Sequence, residues 1–375
     1  MPSTHRRQFD PSKIHPGLPL EFDLFDRHAN LLLRKGAVIE TEQIIESLMR
    51  SGAYFYTGPN LTHYQPPTTE SDPSSYQQIC SLLTELEGIY RHLDHPPQQE
   101  LFPSAIESLV DKIQDACTRD ASALLGTTQL IIHGPGALLH ALHCALICEI
   151  AGSRLDWNDE ARKPLIAAAL TQNVGLWGVL GTLEKQNTPL TGSQQALVKE
   201  HPKRSVETLH KYGVRNRRWL QAVLQSHERL DGSGYPRGLA EEQIIPEARL
   251  LSIVDSYVAM TRPRAYRETF RSQYAMKELF KLRGQTIDAE LSELLLNVMG
   301  LFPPGCLVRL ISGEAAIVLE NTNETTVRLS LISDNHTHPL ETPGASIEVS
   351  ITEISGVLNL LDYEKLVAHL GAVPF

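Results

Sequence analysis

Ser226-His-Glu-Arg-Leu-Asp-Gly-Ser-Gly-Tyr-Pro-Arg-Gly-Leu239 is the stretch on which the reading of this chain turns. Taken alone it is a tight loop after a helix, because Asp-Gly and Gly-Tyr-Pro are turn formers. Its surroundings are helical. Upstream, Thr191-Gly-Ser-Gln194 is a capping-box pattern before Ala196, Leu197 and His201, and Gly213 suits a helix C-terminus. Downstream, Pro246 suits a first helical turn, and Leu250, Ile253, Val254 and Tyr257 recur at helical spacing. Helical patterning runs from about residue 125 to about 300, and two further helix-like segments lie near 76–93 and 102–118.

The period changes at both ends. From residue 303 onward, Leu307–Ile311, Ile317–Leu319, Val327–Leu331 and Ile347–Ile351 read as strands of a small antiparallel unit. Residues 14–58 read as a small mixed module. It has strands over Leu18–Asp26, Leu31–Leu33 and Tyr54–Tyr56, with a short helix begun by Thr41. Pro66-Pro-Thr-Thr-Glu-Ser-Asp-Pro-Ser-Ser75 has the composition of a linker. The organisation expected is a mixed module over 1–58, a linker over 59–76, a helical domain over 77–300 and a β module over 303–375. The fold class expected is mainly α, with a helical bundle between small β-containing ends.

The chain has 375 residues and a formal net charge of −10, which argues against a broad nucleic-acid-binding surface and so against DNA as partner. A few local arginines can still hold a small phosphorylated ligand. The five cysteines are scattered without a CxxC pair, which favours a reducing cytosol. Met1–Gly17 lacks the apolar core of a signal peptide. No apolar stretch is expected to approach the roughly 20 residues that span a bilayer; the nearest, Leu165–Leu180, is interrupted by Gln172-Asn173. A cytoplasmic protein that does not engage membranes is the expectation.

Four polar residues sit in otherwise helical, partly apolar stretches: His140, His201, His227 and Asp255. Imidazoles with a carboxylate suit Zn, Fe, Mn or Ni. A single histidine on an apolar face is nevertheless more often a satisfied core residue than a ligand.

The order of these elements resembles the HD-GYP family. Its pattern is a His, a His-Asp pair in H-D-x-G-K, a His-Pro step, H-H-E-x-x-D-G-x-G-Y-P-x-G-L, a later Asp and a basic turn. Here His140, His201-Pro202, His227-Glu228, Asp231–Leu239, Asp255 and Arg264-Ala-Tyr-Arg267 fall in that order. The resemblance implies an all-helical HD-type bundle and a place in cyclic di-GMP signalling. It also implies a divalent transition metal (Fe, Mn or Zn) held by His140, His201, His227 and Asp255. A nucleotide would contact Gly234, Tyr235, Pro236, Arg264 and Arg267.

Gln172-Asn173 stand where that pattern has His-Asp, Leu176 where it has Lys, Ser226 where it has the first His of H-H-E, and Gly136 where some members have a Glu. Asn173 is neutral and a weak ligand, and Gln172 is a poorer donor than imidazole. The metal site is therefore expected to be weak or empty and turnover impaired. The domain would then regulate by binding cyclic di-GMP or a related cyclic dinucleotide. It would otherwise dock a protein, such as a diguanylate cyclase domain, through the Gly-Tyr-Pro loop. The alternative is an active metal-dependent cyclic di-GMP phosphodiesterase. A regulatory scaffold of the HDOD type is disfavoured, because that group lacks the loop.

Overall fold

Side chains that cap helices set the frame. Ser74 and Thr191 each close a capping box, with Gln77 and with Gln194. Asp120, Asn158, Asn216 and Asp288 each accept an orphan backbone N–H at a helix start. In this computed structural model the described residues are 5–8, 20, 24–25, 31–33, 54–57, 74–95, 101–131, 134–186, 188–262, 272–334 and 346–358. The chain divides into two compact units, Met1–Asp72 and Pro73–Phe375.

In the first unit, β1 (His5–Gln8), β2 (Leu24–Phe25), β3 (Leu31–Leu33) and β4 (Tyr54–Thr57) form an antiparallel sheet in the order β1-β4-β2-β3. Strand β1 lies in a polar segment that carries no strand pattern. The expected strand over Leu18–Asp26 is described only at Leu24–Phe25, and Leu20 is outside any strand. The helix expected after Thr41 and most of the linker lie outside the described residues.

The second unit holds the helices α1 (Ser75–Arg91), α2 (Leu101–Arg119), α3 (Ala121–Leu130), α4 (Gly136–Arg154), α5 (Asp159–Thr171), α6 (Trp177–Lys185), α7 (Gly192–Lys211), α8 (Arg217–Gln225), α9 (Pro246–Thr261), α10 (Ser272–Leu282) and α11 (Ala289–Met299). The central pair is α4 and α5. Every residue from Leu138 to Gly152 is buried, as is every residue from Pro164 to Thr171, and a helix apolar all round is a core helix. Trp219 on α8 donates its indole N–H to Thr171 at 2.7 Å, and Tyr90 on α1 donates to the Leu170 carbonyl at 2.6 Å, so α5 is pinned from both sides.

Helix α4, with 19 residues and mean hydropathy 1.4, is long and apolar enough to cross a membrane, contrary to the expectation that no stretch approached that length. It is 78% buried inside the unit, which is how a core helix passes the same test. The segment Asp159–Glu184 passes it too, at 56% buried.

In the same unit, β5 (Leu307–Leu310), β6 (Ala315–Asn321), β7 (Thr326–Leu331), β8 (Ser346–Ser350) and β9 (Ile354–Val357) form an antiparallel sheet in the order β8-β7-β6-β5-β9. Its core of Val308, Val318, Val327 and Leu329 is fully buried. The architecture is the expected one, a helical bundle with small sheets.

Candidate functional site

The side chains of His140 (α4), Asp255 (α9), His227 (after α8) and His201 (α7) meet at one cavity of about 560 Å³. Asp255 is its hub. Its Oδ1 lies 2.8 Å from His140 Nε2 and accepts the Gln172 side-chain N–H at 3.0 Å, while its Oδ2 lies 4.0 Å from His227 Nδ1. His201 and His227 stand edge to face with ring centroids 4.8 Å apart, and Tyr235 stacks on His227 at 4.9 Å. His201 Nδ1 donates to the Val198 carbonyl at 2.6 Å, which fixes the free lone pair of a neutral ring on Nε2. That Nε2 and the Nε2 of His227 are buried without a partner.

Burial controls the charges here. It pulls His227 down to about 3, with Asp255 opposing and the neighbouring His201, Arg229 and His140 adding to the drop. His201 is lowered by burial too, against its bond to Val198. Burial works against ionising Asp255, yet the His140 hydrogen bond and the surrounding imidazoles outweigh it and hold the carboxyl below its ordinary range. Burial, assisted by Asp255, pushes the Tyr235 hydroxyl up to about 12. The floor is thus one carboxylate among imidazoles, and burial disfavours the charged form of His201 and His227.

The loop that carries His227 is built from its own signature residues. Glu228 accepts the backbone N–H groups of Arg237 at 2.8 Å and Leu239 at 2.9 Å. Tyr235 N–H returns to the His227 carbonyl at 3.1 Å, and Asp231 accepts both the N–H and the hydroxyl of Ser233. A Cβ at Gly234 would sit 2.5 Å from Glu228 Cα, so only glycine lets the loop fold back this closely. Of Gly234, Tyr235 and Pro236, only Tyr235 lines the cavity. Arg264 and Arg267 lie outside the described residues.

The substituted positions have definite places. Asn173 and Leu176 line the cavity, and Leu176 continues into an apolar wall with Leu180, Leu183, Leu190 and Val198. Ser226 is fully buried, donates to the Val223 carbonyl at 3.0 Å and is absent from the lining. At Gly136 a Cβ would sit 2.6 Å from Glu184 Oε1, so the missing side chain leaves room for the Glu184 carboxylate of α6.

Three contributors were not anticipated. Glu184 and Arg262 line the cavity, and Arg262 donates to the Gly136 carbonyl. Cys144 sits one turn after His140, with Sγ 3.6 Å from His140 Nε2. Only Cys144 had a usable signal, its four-residue spacing from His140 on one helix.

An HD domain profile matches residues 116–291. Residues 116–291 are an HD domain, similar to HD-GYP-type cyclic di-GMP phosphodiesterases. A cyclic di-GMP phosphodiesterase of Pseudomonas aeruginosa is 30% identical over 213 residues, 56% of this chain and 51% of that protein. A 3'3'-cGAMP-specific phosphodiesterase of Vibrio cholerae is 26% identical over 291 residues, 75% of this chain and 58% of that protein. The chain thus spans about half the length of these curated relatives. The solved structure of Bd1817, a HDG"Y"P protein from Bdellovibrio bacteriovorus, superposes with a TM-score of 0.50 at 15% identity over 78% of this chain and 98% of that one, a likeness of fold.

Metal dependence is typical of HD domains, and the donors present here test that implication. A carboxylate-bridged pair of cations does not fit the described residues. Asp255 is the carboxylate among the four imidazole-and-carboxylate positions, and one of its oxygens already accepts Gln172. Two dications against that single buried carboxylate would leave a net buried charge of about +3, several kcal/mol or more of unrepaid desolvation.

Proposed function

We propose that this HD domain belongs to cyclic di-GMP signalling as a regulator that holds a cyclic dinucleotide without hydrolysing it at a useful rate. One observation carries the reading. The side chain at position 172 offers Asp255 an amide N–H, where the family pattern has a metal-binding His. A hydrolytic site needs cations to lower the pKa of an attacking water, and this arrangement gives the carboxylate a hydrogen-bond donor instead.

Binding chemistry persists beside that loss. Arg262 offers a guanidinium at the cavity, Tyr235 a ring for stacking a base, and Leu176 to Leu190 an apolar wall. The names of the relatives supply the ligand class, a cyclic dinucleotide of two purines. Arg264 and Arg267 are part of the proposal, as is a protein partner at the outer face of the Gly-Tyr-Pro loop. The cytoplasm is the proposed compartment.

Calorimetry with cyclic di-GMP and with 3'3'-cGAMP tests the binding half, and turnover by the Mn-loaded or Fe-loaded protein tests the other. We expect binding of at least one nucleotide and no hydrolysis. The double change Gln172→His with Asn173→Asp is expected to bring in a pair of cations and measurable turnover. Hydrolysis by the unaltered chain would establish the active phosphodiesterase instead. Failure of both nucleotides to bind would remove the regulatory reading.

A further inference from the structure

We infer that a single-cation site of a different donor set lies beneath the cavity: His140 Nε2, Cys144 Sγ and an Asp255 carboxylate oxygen, closed by the side-chain oxygen of Gln172. The cation class is one that accepts thiolate, Zn or Co(II). The inference stands independently of nucleotide binding.

Geometry comes first. Residues four apart on a helix stack on one face, so His140 and Cys144 present their donors together, and Asp255 meets them from α9. The three donor atoms lie within 4.8 Å of one another. The 3.6 Å between His140 Nε2 and Cys144 Sγ compares with the tetrahedral edge of about 3.5 Å that follows from Zn–N of about 2.0 Å and Zn–S of about 2.3 Å. The 2.8 Å from His140 Nε2 to Asp255 Oδ1 is a hydrogen bond; a shared cation would open it to about 3.4 Å.

A fourth donor is adjacent and unsatisfied. Gln172 is wholly buried, its amide nitrogen touches Asp255 Oδ1 at 3.0 Å, and its Oε1 has no hydrogen-bond partner. A buried amide oxygen without a partner costs about 1–3 kcal/mol. Half a turn of the amide exchanges its two ends and brings the oxygen to the position the nitrogen now holds, facing the site. A cation there converts both an unsatisfied acceptor and a buried carboxylate into ligands.

Charge agrees with one cation and not with two. A thiolate and a carboxylate neutralise a single dication, so the loaded site is neutral and can remain buried. Loading sends the Cys144 thiol proton to solvent and requires His140 to offer Nε2 as a lone pair, its proton moving to Nδ1 or to solvent. Thiolate selects Zn or Co(II) over Mg or Mn. Four protein ligands leave no open position for an attacking water, so this centre braces α4, α5 and α9 and does not activate a nucleophile.

The full-length protein stripped of metal and titrated with Co(II) gives the test. We expect one equivalent bound, with a near-ultraviolet thiolate-to-cobalt charge-transfer band that saturates at that equivalent, and displacement of the cobalt by one equivalent of Zn. Cys144→Ser should abolish the band and weaken affinity at least about 100-fold, and Gln172→Ala should weaken it about 10-fold with the band retained. The unaltered protein decides the matter even if a variant misfolds. Cobalt bound without the band, two equivalents bound, or no binding at micromolar metal would each overturn the inference.

Discussion

The loop at Ser226–Leu239 and the junction at Gln172–Leu176 flank the same cavity, and their backbones are equally well fixed. At the junction, Ser205 on α7 donates to the Gln172 carbonyl at 2.7 Å and accepts the Gly175 N–H at 3.0 Å. A Cβ at Gly175 would lie 2.5 Å from the Ser205 nitrogen. The loop is held by Glu228, Asp231 and Gly234 in a comparable way. The difference lies in what the side chains named by the family pattern do. In the loop most of them hold the chain's shape. At the junction the shape is held by Ser205 and Gly175, while Gln172 reaches Asp255 and Asn173 lines the cavity. Changing the loop residues is expected to cost the fold, whereas the backbone at Gln172-Asn173 has its own supports in Ser205 and Gly175. A preserved loop beside a substituted pair is what that division of labour permits, and the loop is weaker support for nucleotide binding than its conservation of pattern suggests.

Gly234→Val should break this comparison most severely. The added carbons have backbone of Glu228 and Arg229 in their way, so the turn must reopen. We expect a loss of at least about 3 kcal/mol in denaturant unfolding. A loss under 1 kcal/mol would mean that the loop is not held by close approach.

Glu228→Ala comes next. It leaves the N–H groups of Arg237 and Leu239 without their carboxylate. Charge-assisted bonds of this kind put the expected loss at about 2–3 kcal/mol. Amide exchange at those two positions should rise together, and unchanged protection there would count against Glu228 as the loop's anchor.

These two changes also show what the sequence made legible. The helix starts were readable because Ser, Thr, Asp and Asn caps are local signals, and the loop because its turn residues are contiguous. Strand β1 was not, since His5–Gln8 has neither alternation nor β-branched residues. Cys144 had only its four-residue spacing from His140 as a signal, because a thiol in an apolar helix reads as core until Asp255 arrives from α9. Glu184 and Arg262 reach the cavity from elements distant in sequence, and no spacing rule joins them. Gly234 and Pro236 were expected as ligand contacts because they are part of the motif, but neither lines the cavity.

Helix α4, which packs on α5 ahead of the junction, carries a pH signature of its own. Burial, with Arg262 and His140 adding to it, lowers His143 on α4 from 6.5 to about 3, and its Nε2 has no partner. The unfolded chain takes up that proton near pH 6.5 and the folded chain only near pH 3. Between those values the unfolded state binds more protons, so the stability fully present above pH 6.5 is lost as pH falls toward 3. From pH 7 to 5 the loss from this ring alone should be about 2 kcal/mol. His143→Leu should flatten the profile over that range, and an unaltered slope would show that His143 is not held neutral.

Ser205→Ala is the smallest change and the one that best separates shape from chemistry. Ser205 is fully buried and touches only backbone at the junction, accepting from Gly175 and donating to Gln172. Removing its hydroxyl leaves two backbone groups, that of Gly175 only part-buried, short of a partner. The expected cost is about 1 kcal/mol, because the neutral bonds at stake are each modest in net terms. If the backbone is fixed there independently of residues 172 and 173, the same cost should appear in the unaltered chain and in the Gln172→His, Asn173→Asp background. A double-mutant cycle reads this directly, and additivity within about 0.5 kcal/mol is the expected result. A coupling well above that would mean the side chains at 172 and 173 also set the junction's shape, and the contrast between loop and junction would then be one of degree.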